Sequence, residues 1–302
     1  MNDASEQRRA SVLVVFSALL WSTGGLGVRS VDETGLTIAG VRALVATLAM
    51  LVVARFRQAS LRTAIVSSLR RPTVWMAACA YAVMVVCFCV AVKNTSVANA
   101  ILLQYTGPVY VALLSWPLLR ERVRATDWIA IALSLCGMIF FFRGQITFGQ
   151  QLGNAIALIS ALGAGALPVF LRLDRRRANV ADSDSETSAL LAMALGNGIA
   201  AAVCLPAVLT TPPHTPHAWL VLTLLGVGQI AIPYVLYARA IRYLTALRVS
   251  LVAMIEPILS PLWVFLFRGE APSRSAVVGG VIILASVVVQ MLVPRSATYN
   301  DK

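Results

Sequence analysis

Charge is what this chain has least of. Only 13% of its 302 residues are charged, about half the share usual in globular domains, while 59% are hydrophobic. Mean hydropathy is +0.80. The few charges gather between long apolar runs, which excludes an ordinary water-soluble domain. Histidine occurs twice. The five cysteines (Cys79, Cys87, Cys89, Cys136, Cys204) lie inside apolar runs, with no CxxC and no Cys/His spacing suited to zinc. They read as packing residues, and no metal or other cofactor is expected. HExxH, GxSxG and Walker A motifs are all missing. Gly226-Val227-Gly228-Gln229-Ile230-Ala231 mimics a dinucleotide fingerprint, but no strand precedes it and it sits in an apolar run, so it reads as helix packing. The net charge of +12 has no patch of interleaved basic and aromatic residues behind it, so nucleic acid is not an expected partner.

Ten apolar segments are what the chain has instead. They are Ala10–Val28, Gly35–Ala54, Thr73–Val92, Ser96–Leu119, Trp128–Phe142, Gly153–Leu171, Thr187–Leu209, Ala218–Ala238, Thr245–Phe267 and Ser275–Val293. About 20 apolar residues cross a bilayer as a helix. The prediction is an all-α polytopic membrane protein with ten transmembrane helices and lipid around it. Ala10–Val28 exceeds a signal-peptide core and no clear A-x-A site follows, so it reads as a permanent first helix. Short links make neighbours antiparallel. Of 25 basic residues, 19 then fall on the side of the N-terminus. Five (Arg29, Lys93, Arg143, Arg268, Arg274) fall on the other, and Arg42 lies deep inside a segment. Basic loops stay in the cytoplasm, so both termini are expected there. Trp75, Trp128 and Trp219, near segment ends, read as interfacial anchors.

The chain also repeats. Ser17-Ala18-Leu19 matches Ser160-Ala161-Leu162, and Arg29 matches Arg172, at one offset; Ala91, Pro108 and Glu121 match Ala240, Pro257 and Glu270 at another. The change of offset fits a longer loop carrying Asp182-Ser183-Asp184-Ser185-Glu186. Residues 1–147 and 148–302 would each hold five segments, the second with a short C-terminal tail. An odd number forces the second half to enter the membrane from the opposite side. Such inverted repeats are typical of secondary transporters, whose sites lie near mid-membrane at the repeat interface.

The sequence resembles the drug/metabolite transporter superfamily and, within it, the EamA-type ten-helix exporters. The resemblance rests on Arg42, on Pro108 to Glu121 closing the fourth segment, and on Glu256-Pro257 to Glu270 closing the ninth. It covers roughly residues 10 to 293 and looks closest to bacterial exporters of aromatic and other amino acids. It implies export of small metabolites across the bacterial inner membrane by alternating access. With no nucleotide motif, a gradient of substrate or protons would drive transport.

Candidate site residues follow from the cost of polarity in lipid. A charge at mid-depth costs on the order of 3 kcal/mol and survives beside a partner or a polar cavity. Glu256 is therefore read as a proton-accepting or amine-binding carboxylate, or as a structural group paired with Arg42 or capped by backbone donors freed at Pro257. Arg42 either snorkels or binds a substrate carboxylate, and the family pattern favours a structural charge. Gln104, Tyr105, Trp21, Tyr81, Phe170, Tyr234 and Trp263 are the expected lining of an amino-acid or flat-cation pocket. Gly25 with Pro168, and Pro108 with Pro257, stand at matched positions in the two halves and are the expected hinges. An intramembrane acid/base enzyme would lack a second positioned catalytic residue, and a passive pore would want a continuous polar stripe. A broad-specificity drug or organic-cation exporter of the same fold is the alternative.

Overall fold

Backbone polar groups that face hydrocarbon must be satisfied within their own segment, so the apolar runs fold as helices. The computed structural model describes residues 3–58, 60–178, 182–259, 263 and 273–292, and among the described residues there is no strand. The helices are α1 (Asp3–Trp21), α2 (Gly24–Arg29), α3 (Gly35–Arg57), α4 (Leu61–Leu69), α5 (Pro72–Asn94), α6 (Val97–Gln104), α7 (Gly107–Leu119) and α8 (Ala125–Phe141). They continue with α9 (Gln151–Ala178), α10 (Asp182–Thr210), α11 (Pro216–Leu224), a π-helical stretch (Leu225–Ala231), α12 (Ile232–Ala240), α13 (Ala246–Ala253) and α14 (Arg274–Leu292). Thr34, Ser96, Thr215 and Thr245 start α3, α6, α11 and α13 by accepting a backbone N–H three residues on. Among the described residues six helical spans are long and apolar enough to cross a membrane: Gly35–Arg57, Pro72–Asn94, Val97–Leu119, Gln151–Arg177, Ser185–Thr210 and Pro216–Ala240. Ala125–Phe141 and Arg274–Gln290 are shorter apolar helices. This is the make-up of a polytopic membrane protein.

Several expected boundaries need correction. The first helix begins at Asp3, not Ala10, and stops at Trp21, because Ser22 and Thr23 turn their hydroxyls onto the carbonyls of Leu19 and Leu20 (both 2.7 Å). Its expected counterpart, Pro168, makes no break: α9 runs on through it to Ala178. The acidic run from Asp182 is not loop but the start of α10, a position that suits negative charge on the helix dipole. Helix α4 lies in what reads as a basic loop. Pro261, Glu270 and the ends of the ninth and tenth segments at Phe267 and Val293 lie outside the described residues.

Helix pairing follows the small residues. α5 packs along α9, α3 along α10, α8 along α14 and α1 along α12. α7 touches α9 and α13, α13 touches α1, and α3 touches the π-helical stretch. At the α8–α14 crossing a Cβ added to Gly279 would stand 2.4 Å from Gly137 O and from Phe141 N. Backbone meets backbone there, a contact only glycine allows. Gly279→Leu is expected to force the pair apart at a cost of about 1–3 kcal/mol, lowering the melting temperature by roughly 5 °C. An unchanged melting curve would mean that this crossing does not hold the two helices.

Polar contacts close the two ends of the bundle. At the arginine-rich end, Asp174 accepts from Arg71 (3.0 Å), Thr73 Oγ1 (2.5 Å) and Ser188 Oγ (2.8 Å). Glu121 accepts from Arg172 and Arg176, each at 2.7 Å, and Glu186 from Arg242 at 3.0 Å and from Arg57. Arg120 ends α7 in the left-handed region (φ 52°), and the turn aims Glu121 at α9. At the other end buried Glu33 accepts from His214 N at 2.8 Å, and Thr37 meets Thr211 at 3.0 Å.

Candidate functional site

Proline fixes where the site forms. Pro108 and Pro257 have no N–H for the carbonyls of Gln104 and Ala253, four residues back. The chain breaks just before each, at Tyr105–Thr106 between α6 and α7 and at Met254–Ile255 after α13. Residues 256–259 are helical again. Gly107 and Glu256 each stand ten residues beyond the start of their span, Val97 and Ala246. At 1.5 Å per residue that is about 15 Å deep, half of a hydrocarbon layer of about 30 Å.

A cavity of about 150 Å³ lies at these breaks. Cavities of roughly this size hold a solute as large as benzene. Its walls come from α1 (Trp21), α3 (Arg42), α5 (Tyr81, Met84), the first break (Gln104, Tyr105, Pro108), α9 (Ala164, Leu167, Pro168), the π-helical stretch (Gln229), α12 (Tyr234, Tyr237) and the second break (Ala253, Glu256). Tyr105 Oη donates to Glu256 Oε2 at 2.5 Å, so one hydrogen bond ties the two breaks together. No ion pair joins Glu256 to Arg42. Four rings form a continuous cluster: Tyr234 lies 5.0 Å from Trp21, 4.8 Å from Tyr81 and 5.8 Å from Tyr237 between centroids. Gln104 Nε2 donates to Ser160 Oγ at 2.8 Å, which donates in turn to Met84 O at 2.8 Å. Trp21 Nε1 and Gln229 Oε1 are buried without a partner. Among the described residues no cluster of His, Cys, Asp or Glu could hold a metal.

Trp21, Tyr81, Gln104, Tyr105, Tyr234 and Glu256 thus meet in one cavity, with Pro108 and Pro168 in its wall. Two expected members do not join them. Phe170 is half-buried against the apolar core, because two residues beyond Pro168 on a helix is about 200° around the axis, the far side. Trp263 donates its indole N–H to Ser22 Oγ at 2.8 Å, at the break after α1, and is not in the wall. Gly25 lies in α2, and Pro257, which follows Glu256, is not among the described lining residues. Gln229 and Tyr237 are among the lining residues that the sequence reading passed over. A lone glutamine between Gly228 and a proline-distorted stretch was the available signal: Pro233 gives no N–H to Gln229 O, and the helix there widens into π geometry, common at functional sites.

Tyr105→Phe removes the hydrogen bond that the half-buried Glu256 carboxylate accepts from the Tyr105 hydroxyl. It is expected to cost about 1–3 kcal/mol of stability, read as a lower melting temperature. No change would show that Glu256 has another donor.

Comparison with known proteins agrees with this architecture. The EamA-like transporter family model matches residues 8–143 and again 151–292. The chain belongs to the EamA-like transporter family, membrane transporters of small molecules. It is similar to an uncharacterized transporter of Archaeoglobus fulgidus, 28% identical over 289 residues, covering 93% of this chain and 96% of that one. It is similar to the uncharacterized transporter YwfM of Bacillus subtilis, 26% identical, covering 94% of each. The pseudopaline exporter CntI of Pseudomonas aeruginosa is 25% identical over 211 residues, 68% of this chain and 70% of that one. None of these relatives is an aromatic amino acid exporter by name, so they support the family and not the narrower resemblance. A crystal structure of a protein described no further shares the fold, with a TM-score of 0.74 at 21% identity, over 94% of this chain and 98% of that one.

Proposed function

We propose that this protein is a secondary transporter that exports amino acids, aromatic and other, or similar small metabolites across the bacterial inner membrane by alternating access. The observation that carries this reading is the mid-depth cavity, in which a carboxylate held by Tyr105 faces a cluster of four aromatic rings. A mostly apolar pocket with a few placed polar groups orients a small amphipathic solute. Among the described residues Glu256 is the only carboxylate in its wall, and it is the group to meet a substrate amine or to carry a proton.

The frame of this reading is ten crossing helices in two inverted five-helix repeats, residues 1–147 and 148–302, with both termini in the cytoplasm. Exchange of the halves supports it. The contacts of α5 with α9 and α6 with α9 in one sense correspond to those of α12 with α1 and α13 with α1 in the other, while α3–α10 and α8–α14 map onto themselves. The breaks at Tyr105–Thr106 and Met254–Ile255 stand at the same repeat position. The end rich in arginine is the cytoplasmic one. Rocking of the halves about Pro108 and Pro257 would expose the cavity to either side in turn.

Purified protein in liposomes loaded with one unlabelled amino acid tests the function. Labelled amino acid outside is expected to accumulate transiently, saturably and only when the inner solute is present. A panel of amino acids with no such counterflow would remove the amino-acid reading.

A further inference from the structure

Two arginines are buried among the described residues, and they are treated differently. Arg248, 2% exposed, donates Nη1 to Gln7 Oε1 at 3.0 Å. Arg42, 4% exposed, has no hydrogen bond and no ion pair among the described residues, and its Nε is sealed from solvent without a partner. Its side chain does not snorkel to the membrane surface; it forms part of the cavity wall. Arginine stays charged in proteins and offers five donors in a planar fork that matches a carboxylate. A buried charge without a partner is costly, and a structural role would supply one. The same wall carries Glu256, already held by Tyr105 and not paired to Arg42. Among the described lining residues there is thus one cation, its Nη groups without a protein partner, and one carboxylate, separated rather than joined.

We propose that Arg42 is the anion-binding group of the cavity: it takes a substrate carboxylate while Glu256 faces the amine, so the preferred solute is a zwitterion of the amino-acid type with an apolar or aromatic side chain against the rings. This deepens the transport reading above and rests on it. Amines without a carboxylate, including flat organic cations, bind weakly under this arrangement, because the guanidinium then stays buried and unpaired beside a second cation.

The test is binding of three probes to the full-length protein in lipid nanodiscs: L-phenylalanine, phenethylamine, which lacks the carboxylate, and 3-phenylpropionate, which lacks the amine. Wild-type protein is expected to bind L-phenylalanine at least tenfold more tightly than phenethylamine. Arg42→Gln is expected to weaken L-phenylalanine and 3-phenylpropionate tenfold or more and to leave phenethylamine within about twofold. Arg42→Lys, which keeps the charge and loses the fork, falls between. Melting temperature of Arg42→Gln is expected to hold or rise, since a buried unpaired charge is removed, whereas a structural arginine would give a fall. Equal wild-type affinity for L-phenylalanine and phenethylamine, equal weakening of all three probes in Arg42→Gln, or no binding by either carboxylate would overturn the proposal. The wild-type comparison decides even if the variant fails to fold. Arg42-dependent binding of 3-phenylpropionate without carriage of L-phenylalanine would uphold the anion site and sink the amino-acid reading instead.

Discussion

Glu256→Gln is expected to slow carriage of an amine-bearing substrate by about ten- to a hundredfold in kcat/KM, with the protein still folded. The size follows from the chemistry of the contact. A hydrogen bond to a charged group is worth about 1.5–3 kcal/mol, and each 1.4 kcal/mol is tenfold. Glutamine keeps the shape of the side chain and an oxygen to accept the Tyr105 hydroxyl, now 2.5 Å away, so the tie between the two helix breaks survives. What is lost is the negative charge in the cavity wall. Uptake into liposomes, with melting curves as the control, reads the two separately. Wild-type kinetics in the variant would show that Glu256 only braces the breaks.

The second large effect is expected at the arginine-rich end. One oxygen of Glu121 receives Arg172 Nη2 and Nε (2.7 and 3.2 Å) and Arg176 Nη2 (2.7 Å). The Glu121 and Arg172 side chains are only 20% and 14% exposed. Arg172 also donates to Leu244 O at 2.5 Å, which links α9 to the turn before α13. Breaking a buried pair from one side costs about 3–5 kcal/mol, because the other charge is left behind. Here two guanidiniums would be left facing each other, so Glu121→Gln is expected to lower stability by about 3 kcal/mol and the melting temperature by roughly 5 °C. The same variant loosens the seal at that end of the bundle. An unaltered melting temperature would class these contacts with exposed pairs, which are worth about 0–1 kcal/mol.

Much of the frame was legible because hydrophobic length is a strong signal and proline a local one. The apolar runs locate most of the described helices, although α1 begins and ends seven residues earlier than expected and α9 ends seven later, and Pro108 and Pro257 mark both breaks. Other features depend on competition that composition does not reveal. The break at Ser22–Thr23 is made by hydroxyl groups bonding back to carbonyls, whereas Pro168, the stronger breaker by type, is absorbed inside α9. The direction of a side chain is harder still. Phe170 and Pro168 are two residues apart and look interchangeable as aromatic and hinge markers, yet only the latter reaches the cavity. Gln229 lay in a glycine-rich run that reads as packing, and its place in the wall comes from the widened turn ahead of Pro233. Arg42 was visible as a lone charge, but whether it had a partner could be decided only from the packing around it.

The account stands on a single cavity at the paired breaks that opens to one side at a time. Ser250 lines that cavity, and Ser250→Cys in a variant with the five native cysteines replaced puts one reactive thiol there. Its labelling by a membrane-impermeant thiol reagent, applied from either face of oriented liposomes with and without substrate, is the most direct measurement. The account predicts reaction from both faces, slowed by substrate from both, with Glu121→Gln raising the rate from the arginine-rich face. Reaction from one face only, or labelling from both that substrate leaves untouched, would contradict it.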